Sequence, residues 1–408
     1  MGKNRKKGKK TDKNNMIKRT ARREAAAEKY FNALLSTITV IIFFGVIIAI
    51  GAVTAFSEKQ EFSETRNGKL AEFPDFTAKK VYNGSFTSGV ETYISDHFAG
   101  HDSWVTLKTV TELLSGKKES NNIYILKDRL VEKIAEPKEE IISKSVKGIR
   151  TFAEKNNVKP YLMIVPTQAE IYSSELPANA PNPDQQAFIG DIYSELSDCT
   201  VPIDVYSVLS ANSSDYIYYR TDHHWTTKGA FLAYTAASKR MNFTPLTEDD
   251  YDIEHAGENF RGTFFSKVLY DGITPDTLDI WLPANGGEEP VVEITSTFDE
   301  APAVHEGMYF REYLDVKDKY STFFGTNQPM IRLRTGNKGG RLLIFKDSYA
   351  HCFVPFLSQH YSEITMLDLR YIQISYDQLV DVSEYDQVLI MYNASTFMSD
   401  ENIKKLMF

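Results

Sequence analysis

The sequence predicts an α/β fold with a mostly parallel sheet whose two faces are covered by helices. One short run, residues 161–165, is apolar throughout, and three others are mostly apolar, which is typical of parallel strands buried on both faces. Helical periodicity separates at least the first two runs, and alternation of strands with helices indicates a parallel sheet. The four runs are residues 161–165, 341–345, 364–369 and 387–392.

Other elements follow from the same periodicities. Helices are predicted over residues 78–98, 102–115, 138–156, 184–197 and 228–240. Two shorter patterns predict a strand over 201–205 and a hairpin formed by 123–126 and 129–132. Residues 245–335 are acidic and rich in glycine, proline and aromatic residues. We expect this stretch to be an irregular insertion over the sheet.

The amino-terminal part predicts one transmembrane helix. Residues 31–56 contain no charged side chain, and this length crosses a hydrocarbon core of about 30 Å. A secretory signal peptide is the alternative, but its apolar region is usually about 7–15 residues long. We therefore expect an uncleaved anchor. It would follow a basic cytoplasmic tail (1–30) and precede a juxtamembrane helical segment (57–115) and an extracytoplasmic domain (116–408).

Charge and cysteine content exclude several classes of protein. Residues 1–30 hold 12 Lys or Arg and 3 Asp or Glu, so the remainder carries 34 basic and 52 acidic groups. An acidic body argues against nucleic-acid binding, and the basic tail beside a membrane span is suited to anionic lipid. The two cysteines, Cys199 and Cys352, exclude a disulfide scaffold and a cysteine-rich zinc module.

Two polar segments, residues 220–228 and 345–351, contain the side chains that are candidates for catalysis. Ser348 follows a buried strand and precedes a helix, the position at which parallel sheets bind ligands. A serine nucleophile needs a base and the base needs an orienting partner. Asp222 and His224, before the 228–240 helix, have the residue types for both roles.

Simpler interpretations of these residues remain open. Asp347 and Ser348 are typical helix caps. The paired histidines are possible metal ligands, although adjacent side chains diverge. His351 is a second candidate base, since it shares a helix face with Ser348. Trp225 is suited to core packing or to sugar stacking, and the apolar neighbours of Cys352 favour a buried thiol.

The two segments together resemble the DHHW family of bacterial envelope proteins, which is related to the SGNH-hydrolase-like domains of alginate O-acetyltransferases of the AlgX/AlgJ type. The sequence Asp222-His-His-Trp225 is the signature of that family, and further similar features are residues 164–167, 322–327, 347–349 and 368–370. The resemblance implies an SGNH-hydrolase-like, flavodoxin-type parallel sheet with helices on both faces. The Asp-x-His pair precedes the serine here, as in the permuted alginate acetyltransferases.

The resemblance also implies roles for individual residues. Ser348 would be the nucleophile, with His224 and Asp222 as the dyad and His223 as a structural neighbour. Asn393 and the Ser348 backbone N–H would form the oxyanion hole. Arg370 would bind substrate or orient the site. The set of oxyanion and substrate-binding residues is completed by Asn327, Tyr349 and Trp225. Lys346 stands where SGNH hydrolases usually have glycine.

The function implied by the resemblance is that of a membrane-anchored extracytoplasmic serine acyltransferase, O-acetylating a cell-envelope polysaccharide through a Ser-His-Asp triad. A membrane-bound O-acyltransferase partner would supply the acetyl group from the cytoplasm. No nucleotide or metal cofactor is implied. A carbohydrate acetyl esterase of the same fold is an alternative, and a non-catalytic glycan-binding or assembly protein is another.

Overall fold

The computed structural model describes residues 3–66, 68–286, 289–298 and 300–408. The chain forms two compact units. The first comprises Met1–Ser63 and Lys69–His101, and the second comprises Glu64–Gly68 and Asp102–Phe408.

A single long helix, α1 (Lys3–Phe56), dominates the first unit and contains both the basic tail and the apolar run. Within the described part of the chain, it is the one helix long and apolar enough to cross a membrane. The elements that follow are β1 (Phe62–Ser63), β2 (Gly68–Lys69), α2 (Ala78–Tyr82) and α3 (Ser85–Asp96). The helix predicted over 78–98 is interrupted because Gly84 has a φ of 77°, a left-handed conformation that glycine adopts without steric cost.

The second unit contains most of the helices and strands. The first group comprises α4 (His101–Leu114), β3 (Glu119–Ser120), β4 (Ile123–Ile125), β5 (Leu130–Glu132), α5 (Glu139–Asn156), β6 (Tyr161–Val165), α6 (Gln168–Ile171), α7 (Gln185–Glu195), β7 (Val201–Pro202), α8 (Tyr206–Ala211) and α9 (Thr227–Met241). The second group comprises β8 (Tyr251–Phe260), α10 (Thr263–Val268), β9 (Asp276–Pro283), β10 (Val291–Thr295), β11 (Ala303–Glu306), β12 (Met330–Arg334), β13 (Gly340–Lys346), α11 (Tyr349–Leu357), β14 (Tyr361–Leu367), β15 (Gln387–Asn393) and α12 (Ala394–Ser399). Short 3-10 helices, including Lys319–Thr322, connect several of these elements.

The centre of this unit is an eight-stranded sheet with the order β11-β10-β12-β14-β13-β15-β6-β7. Strands β14, β13, β15, β6 and β7 are parallel, and they include the four apolar runs predicted from the sequence. Strands β11, β10 and β12 are antiparallel and extend the β14 edge. The predicted α/β fold is confirmed, with a sheet that is mixed rather than parallel throughout.

Helices cover both faces of the parallel strands. Leu342 and Ile344 of β13 belong to one core cluster together with residues of α9 and α11. Leu343 and Phe345, which point to the opposite face because strand side chains alternate, belong to a second cluster with residues of α5 and α7. This two-sided burial explains why the central residues of these strands are mostly apolar.

Residues 245–335 are more regular than expected from their composition. They contain an antiparallel pair, β8 and β9, and three strands that extend the main sheet. In β10 the burial alternates only partly, with Val292 fully buried and Val291 exposed. These strands are short and are separated by turn-forming and acidic residues, so the composition of the stretch does not indicate them.

The predicted hairpin is present as β4 and β5, with β3 as a third strand. The strand expected over 201–205 is shorter, because it ends at Pro202 and Asp204 then accepts hydrogen bonds from the start of α8.

Candidate active site

Ser348 lies at the carboxyl end of β13, immediately before α11. Its side chain makes no capping hydrogen bond to that helix. The Oγ atom instead lies 2.7 Å from Nε2 of His224. Asp347 provides the local hydrogen bonds, since its carboxylate accepts from the backbone N–H groups of Tyr349 and Asn393. The simple capping interpretation therefore fits Asp347 and not Ser348.

His224 connects Ser348 to Asp222. Its Nδ1 lies 2.6 Å from Oδ1 of Asp222. A carboxylate only accepts hydrogen bonds, so Nδ1 carries the hydrogen and Nε2 is the acceptor that faces the serine hydroxyl. Tyr320 stacks on the imidazole with ring centroids 3.6 Å apart and an angle of 7° between the planes. The Tyr320 hydroxyl also donates to the Ser348 carbonyl, at 3.0 Å.

Asp222 is buried and fully hydrogen-bonded. Its Oδ2 accepts from the backbone N–H and the hydroxyl of Thr263, at 2.8 and 3.0 Å. Burial raises the pKa of this carboxyl, but the adjacent His223 and His224 and the hydrogen bonds outweigh it, so the pKa of Asp222 lies well below its usual value. Gly262 is required for this contact, because a Cβ there would lie 2.3 Å from Asp222.

A cavity of about 110 Å³ opens beside Ser348. Its polar lining comes from the ends of several elements, as expected at the carboxyl edge of a parallel sheet. It includes Glu132, Thr167, His223, Ser348, Arg370 and Ser395. A space of this size accommodates a few heavy atoms beside the serine.

A buried polar cluster lies behind Ser348. Lys346 is fully buried, with Nζ 2.6 Å from Nε2 of His351 and 3.6 Å from Oδ2 of Asp368. Burial lowers the pKa of Lys346 to about 8, although Asp368 opposes the shift. Burial and the charge of Lys346 hold the pKa of His351 well below its usual value. The His351 ring thus contacts Lys346, whereas the Ser348 hydroxyl is hydrogen-bonded to His224. The hydrogen bond between His351 and Ser348 runs from backbone N–H to backbone carbonyl, at 3.2 Å, which corrects the assignment of His351 as a second candidate base.

Arg370 lines the cavity. Asp368 holds its guanidinium by two hydrogen bonds, at 2.9 and 2.6 Å. Burial lowers the pKa of Arg370, but these hydrogen bonds and the charge of Asp368 outweigh it and raise the pKa overall. The guanidinium is therefore a fixed cation at the rim of the cavity.

The cluster of Asp222, His223 and His224 also has the composition of a metal site. Their potential ligand atoms lie within 4.8 Å of one another. Both ring nitrogens of His224 and Nδ1 of His223 are already hydrogen-bonded to protein groups. A metal ion at this place would have to replace those contacts.

The model of the DHHW protein family matches residues 122–367, which is more than half of the chain. The chain belongs to the DHHW family. The matched range contains the Asp222-His-His-Trp225 signature and Ser348.

A curated relative is named as a probable alginate O-acetylase. The chain is 24% identical over 215 residues to the "Probable alginate O-acetylase AlgJ" of Pseudomonas syringae pv. tomato. The aligned region covers 49% of this chain and 50% of the relative. The chain therefore spans about half the length of that relative.

Two solved structures share the fold. A DHHW family protein from Eubacterium siraeum has a TM-score of 0.62 and 24% identity, covering 71% of this chain and 95% of the other. Bacillus cereus PatB1, solved with a sulfonyl adduct, has a TM-score of 0.59 and 22% identity, covering 70% and 97%.

Four other residues of this DHHW protein were expected to bind substrate or the oxyanion. Trp225 is fully buried and donates its indole N–H to the Tyr349 carbonyl, so core packing is correct and sugar stacking is wrong. Tyr349 lines the cavity, and its hydroxyl donates to the His223 carbonyl. Asn327 is not among the residues that line the cavity.

Asn393 lines the cavity but differs from the expectation in its hydrogen bonds. Its Nδ2 donates to Asp347 and to Thr396, each at 2.8 Å, and its Oδ1 caps α12. Both amide hydrogens are therefore used within the protein, which corrects its assignment as the side-chain donor to an oxyanion.

Several residues that position the catalytic side chains were not predicted from the sequence, because no local pattern marks them. Gly262 and Thr263 hold Asp222, Tyr320 holds the His224 ring, and Gln168 donates to the Asp222 carbonyl at 2.7 Å. All four are distant in sequence from the residues that they contact. Cys352 is buried, as expected, and burial raises the pKa of its thiol to about 12.

Proposed function

We propose that this DHHW protein is a membrane-anchored, extracytoplasmic serine O-acyltransferase that transfers acetyl groups to hydroxyls of a cell-envelope polysaccharide. The observation that carries the proposal is the continuous hydrogen-bonded chain from Ser348 through His224 to Asp222. The name of the AlgJ relative supports the choice of acetyl transfer.

In the first step, His224 accepts the proton of Ser348 through Nε2 while the serine oxygen attacks the carbonyl carbon of the donor. A serine hydroxyl is a weak nucleophile without such a base. Asp222 keeps the imidazole in the required tautomer and stabilises the imidazolium that forms. The donor's leaving group takes the proton from His224, and an acetyl ester remains on Ser348.

The negative charge of the tetrahedral intermediate needs donors near Ser348. Within the described part of the chain, the Ser348 backbone N–H has no hydrogen-bond acceptor, and it lies at the amino end of α11, where the helix dipole favours negative charge. We assign this N–H as one oxyanion donor. Arg370 adds a fixed positive charge at the cavity.

In the second step, an acceptor hydroxyl takes the place of the leaving group and attacks the acetyl carbon. Its proton passes to His224 and then to Ser348, which restores the enzyme. Transfer and hydrolysis differ only in whether a sugar or water reacts. The proposal of a polysaccharide acceptor comes from the family relationship, since the curated relative is named for alginate.

The membrane assignment depends on α1. Its apolar part would anchor the chain, and the basic residues before it would remain in the cytoplasm and contact anionic lipid. Acetyl-CoA is a cytoplasmic donor. We therefore expect a membrane-bound O-acyltransferase partner that delivers the acetyl group to the outer side.

Labelling of Ser348 tests the proposal. The full-length protein in detergent is treated with a sulfonyl fluoride at neutral pH and analysed by mass spectrometry. We expect one label per chain, lost in Ser348→Ala and kept in Ser395→Ala. Ser395 is a matched control because it lines the same cavity and has no histidine hydrogen-bonded to its hydroxyl.

The outcome separates the candidate functions. A folded protein that stays unlabelled, and whose Ser348→Ala variant restores envelope acetylation in a deletion strain, would support a non-catalytic glycan-binding or assembly protein instead. A labelled protein that releases acetate faster than it transfers acetyl to any glycan would support an acetyl esterase.

A further inference from the structure

His223 faces the cavity, unlike its neighbour in the signature. Its side chain is 35% exposed, against 6% for His224. The two rings lie against each other, with centroids 3.7 Å apart. His223 lines the same cavity as Ser348. A partly exposed polar ring that lines the same cavity as Ser348 is in reach of a molecule that fills the cavity.

The hydrogen bonds of His223 assign its tautomer. Its Nδ1 lies 2.8 Å from Oγ1 of Thr263 and 3.4 Å from Oδ1 of Asp222. Thr263 has one hydroxyl hydrogen, and it donates that hydrogen to the Asp222 carboxylate. In this hydrogen-bond arrangement both oxygens near Nδ1 act as acceptors, and we assign the ring hydrogen to Nδ1.

The opposite nitrogen then has a lone pair. Burial and the charge of His224 lower the pKa of His223, so the ring is neutral near pH 7 and Nε2 carries no hydrogen. The hydrogen bond of the ring to Thr263 is made by Nδ1, and among the described residues none donates to Nε2. It is an unused acceptor on a residue that lines the cavity.

Most other polar groups of the cavity are engaged within the protein, although Oε1 of Gln168, which also lines it, has no hydrogen-bond partner. Arg370 presents a cation whose guanidinium is held by Asp368, and the Asn393 amide is fully used. The Glu132 carboxylate is paired with Lys267. Sugar hydroxyls are hydrogen-bond donors, and a donor that enters the cavity finds a free neutral acceptor at His223.

We infer that His223 is a specificity-determining residue whose Nε2 accepts a hydrogen bond from a second hydroxyl of the acceptor, adjacent to the hydroxyl that reacts. This inference rests on the proposed function. The substrate class that it defines is a molecule with neighbouring hydroxyls, such as the vicinal diol of a sugar ring.

In the step concerned, the reacting hydroxyl oxygen forms a bond to the acyl carbon, and the bond between that carbon and Ser348 Oγ breaks. The proton of the reacting hydroxyl passes through His224 Nε2 to Ser348 Oγ. His223 transfers no proton. It holds the neighbouring hydroxyl, which favours an alcohol with two hydroxyls over one with a single hydroxyl.

The test measures how one acyl-enzyme divides its acetyl group between two alcohols. Full-length protein in detergent is supplied with p-nitrophenyl acetate and with equal concentrations of glycerol and 1-propanol, which share a three-carbon chain. The ratio of glyceryl acetate to propyl acetate is independent of the amount of active enzyme. Partial misfolding of a variant therefore leaves the ratio unchanged.

We expect wild-type protein to prefer glycerol, and His223→Ala to lower the ratio about tenfold, the size expected for one hydrogen bond. His223→Asn retains a donor toward Thr263 but lacks the distal acceptor, so it should behave like alanine. His223→Gln places an amide oxygen near the position of Nε2 and should recover part of the preference.

Two negative results have different meanings. If Ser348 of the wild-type protein takes up no acetyl, the proposed function itself fails. If Ser348 is acetylated but wild-type protein shows no preference for glycerol, or all three variants keep the wild-type ratio, the enzyme proposal stands and the assignment of His223 is wrong.

Discussion

At the residue scale, Asp222 accepts the hydrogen of His224 Nδ1 and so keeps Nε2 free to accept the proton of Ser348. Asp222→Asn places an amide where the carboxylate accepts the Nδ1 hydrogen, which favours the wrong tautomer. We expect acetyl turnover from p-nitrophenyl acetate to fall about 10²–10⁴-fold, and His224→Ala to cause a loss of similar size.

A matched control for this prediction is available on the surface. Asp279 forms the same kind of contact with His255, at 2.7 Å, and Asp279→Asn should leave turnover within about twofold. Equal losses from His223→Ala and His224→Ala, together with bound metal in the preparation, would instead support a metal site.

The lowered pKa of the buried Lys346 predicts that the free energy of unfolding depends on pH. Its pKa is about 8 in the folded protein and near 10.4 in an unfolded chain. Between these values the unfolded state binds more protons, so the contribution of Lys346 to the free energy of unfolding rises with pH. Burial of the charged form is a cost below pH 8, and this cost disappears as pH approaches 10.

Urea unfolding of wild-type protein and Lys346→Met from pH 7 to 10 measures this effect. The stability of wild-type protein relative to the variant should increase with pH, whereas Lys338→Met, at an exposed position, should show no such trend. A constant difference between wild-type protein and Lys346→Met would contradict the assigned pKa.

At the scale of elements, the segment before α10 holds the carboxylate in place. Gly262→Ala introduces a Cβ at 2.3 Å from Asp222, so the carboxylate or the segment must move. We expect turnover to fall by about tenfold or more while circular dichroism remains native, because the collision is confined to the site.

Gly190→Ala is the matched control for this substitution. Gly190 lies in α7 with open space around the added Cβ, and replacing a helical glycine by alanine stabilises by about 0.5–1 kcal/mol. Wild-type turnover in Gly262→Ala would show that the position of Asp222 tolerates displacement.

At the scale of the whole molecule, α1 predicts the location of the chain. The basic residues that precede its apolar part should keep the amino terminus in the cytoplasm. A reporter that is active only outside the cytoplasm should be active when fused after Phe408 and inactive when fused after Tyr30, before the apolar run. Activity of the second fusion alone would reverse the topology and remove the argument for a membrane partner.

The sequence indicated the elements that are buried on both faces. Residues 161–165 and 387–392 were recognisable as strands because their apolar character depends on local burial, which a short run of residues expresses directly. The antiparallel strands β10–β12 were not recognised, because each is short and their pairing is a contact between distant segments.

The sequence by itself determined the chemical types at the site: the carboxylate and imidazole of Asp222 and His224, and the hydroxyl of Ser348. Its motif order also predicted the family. Only the tertiary structure decided the orientations. It buried Trp225 in the core, used the Asn393 amide on Asp347, directed His351 to Lys346 and placed His223 at the cavity. The physical reason is that hydrogen bonds depend on distance and angle between groups far apart in the chain, and no local pattern encodes them.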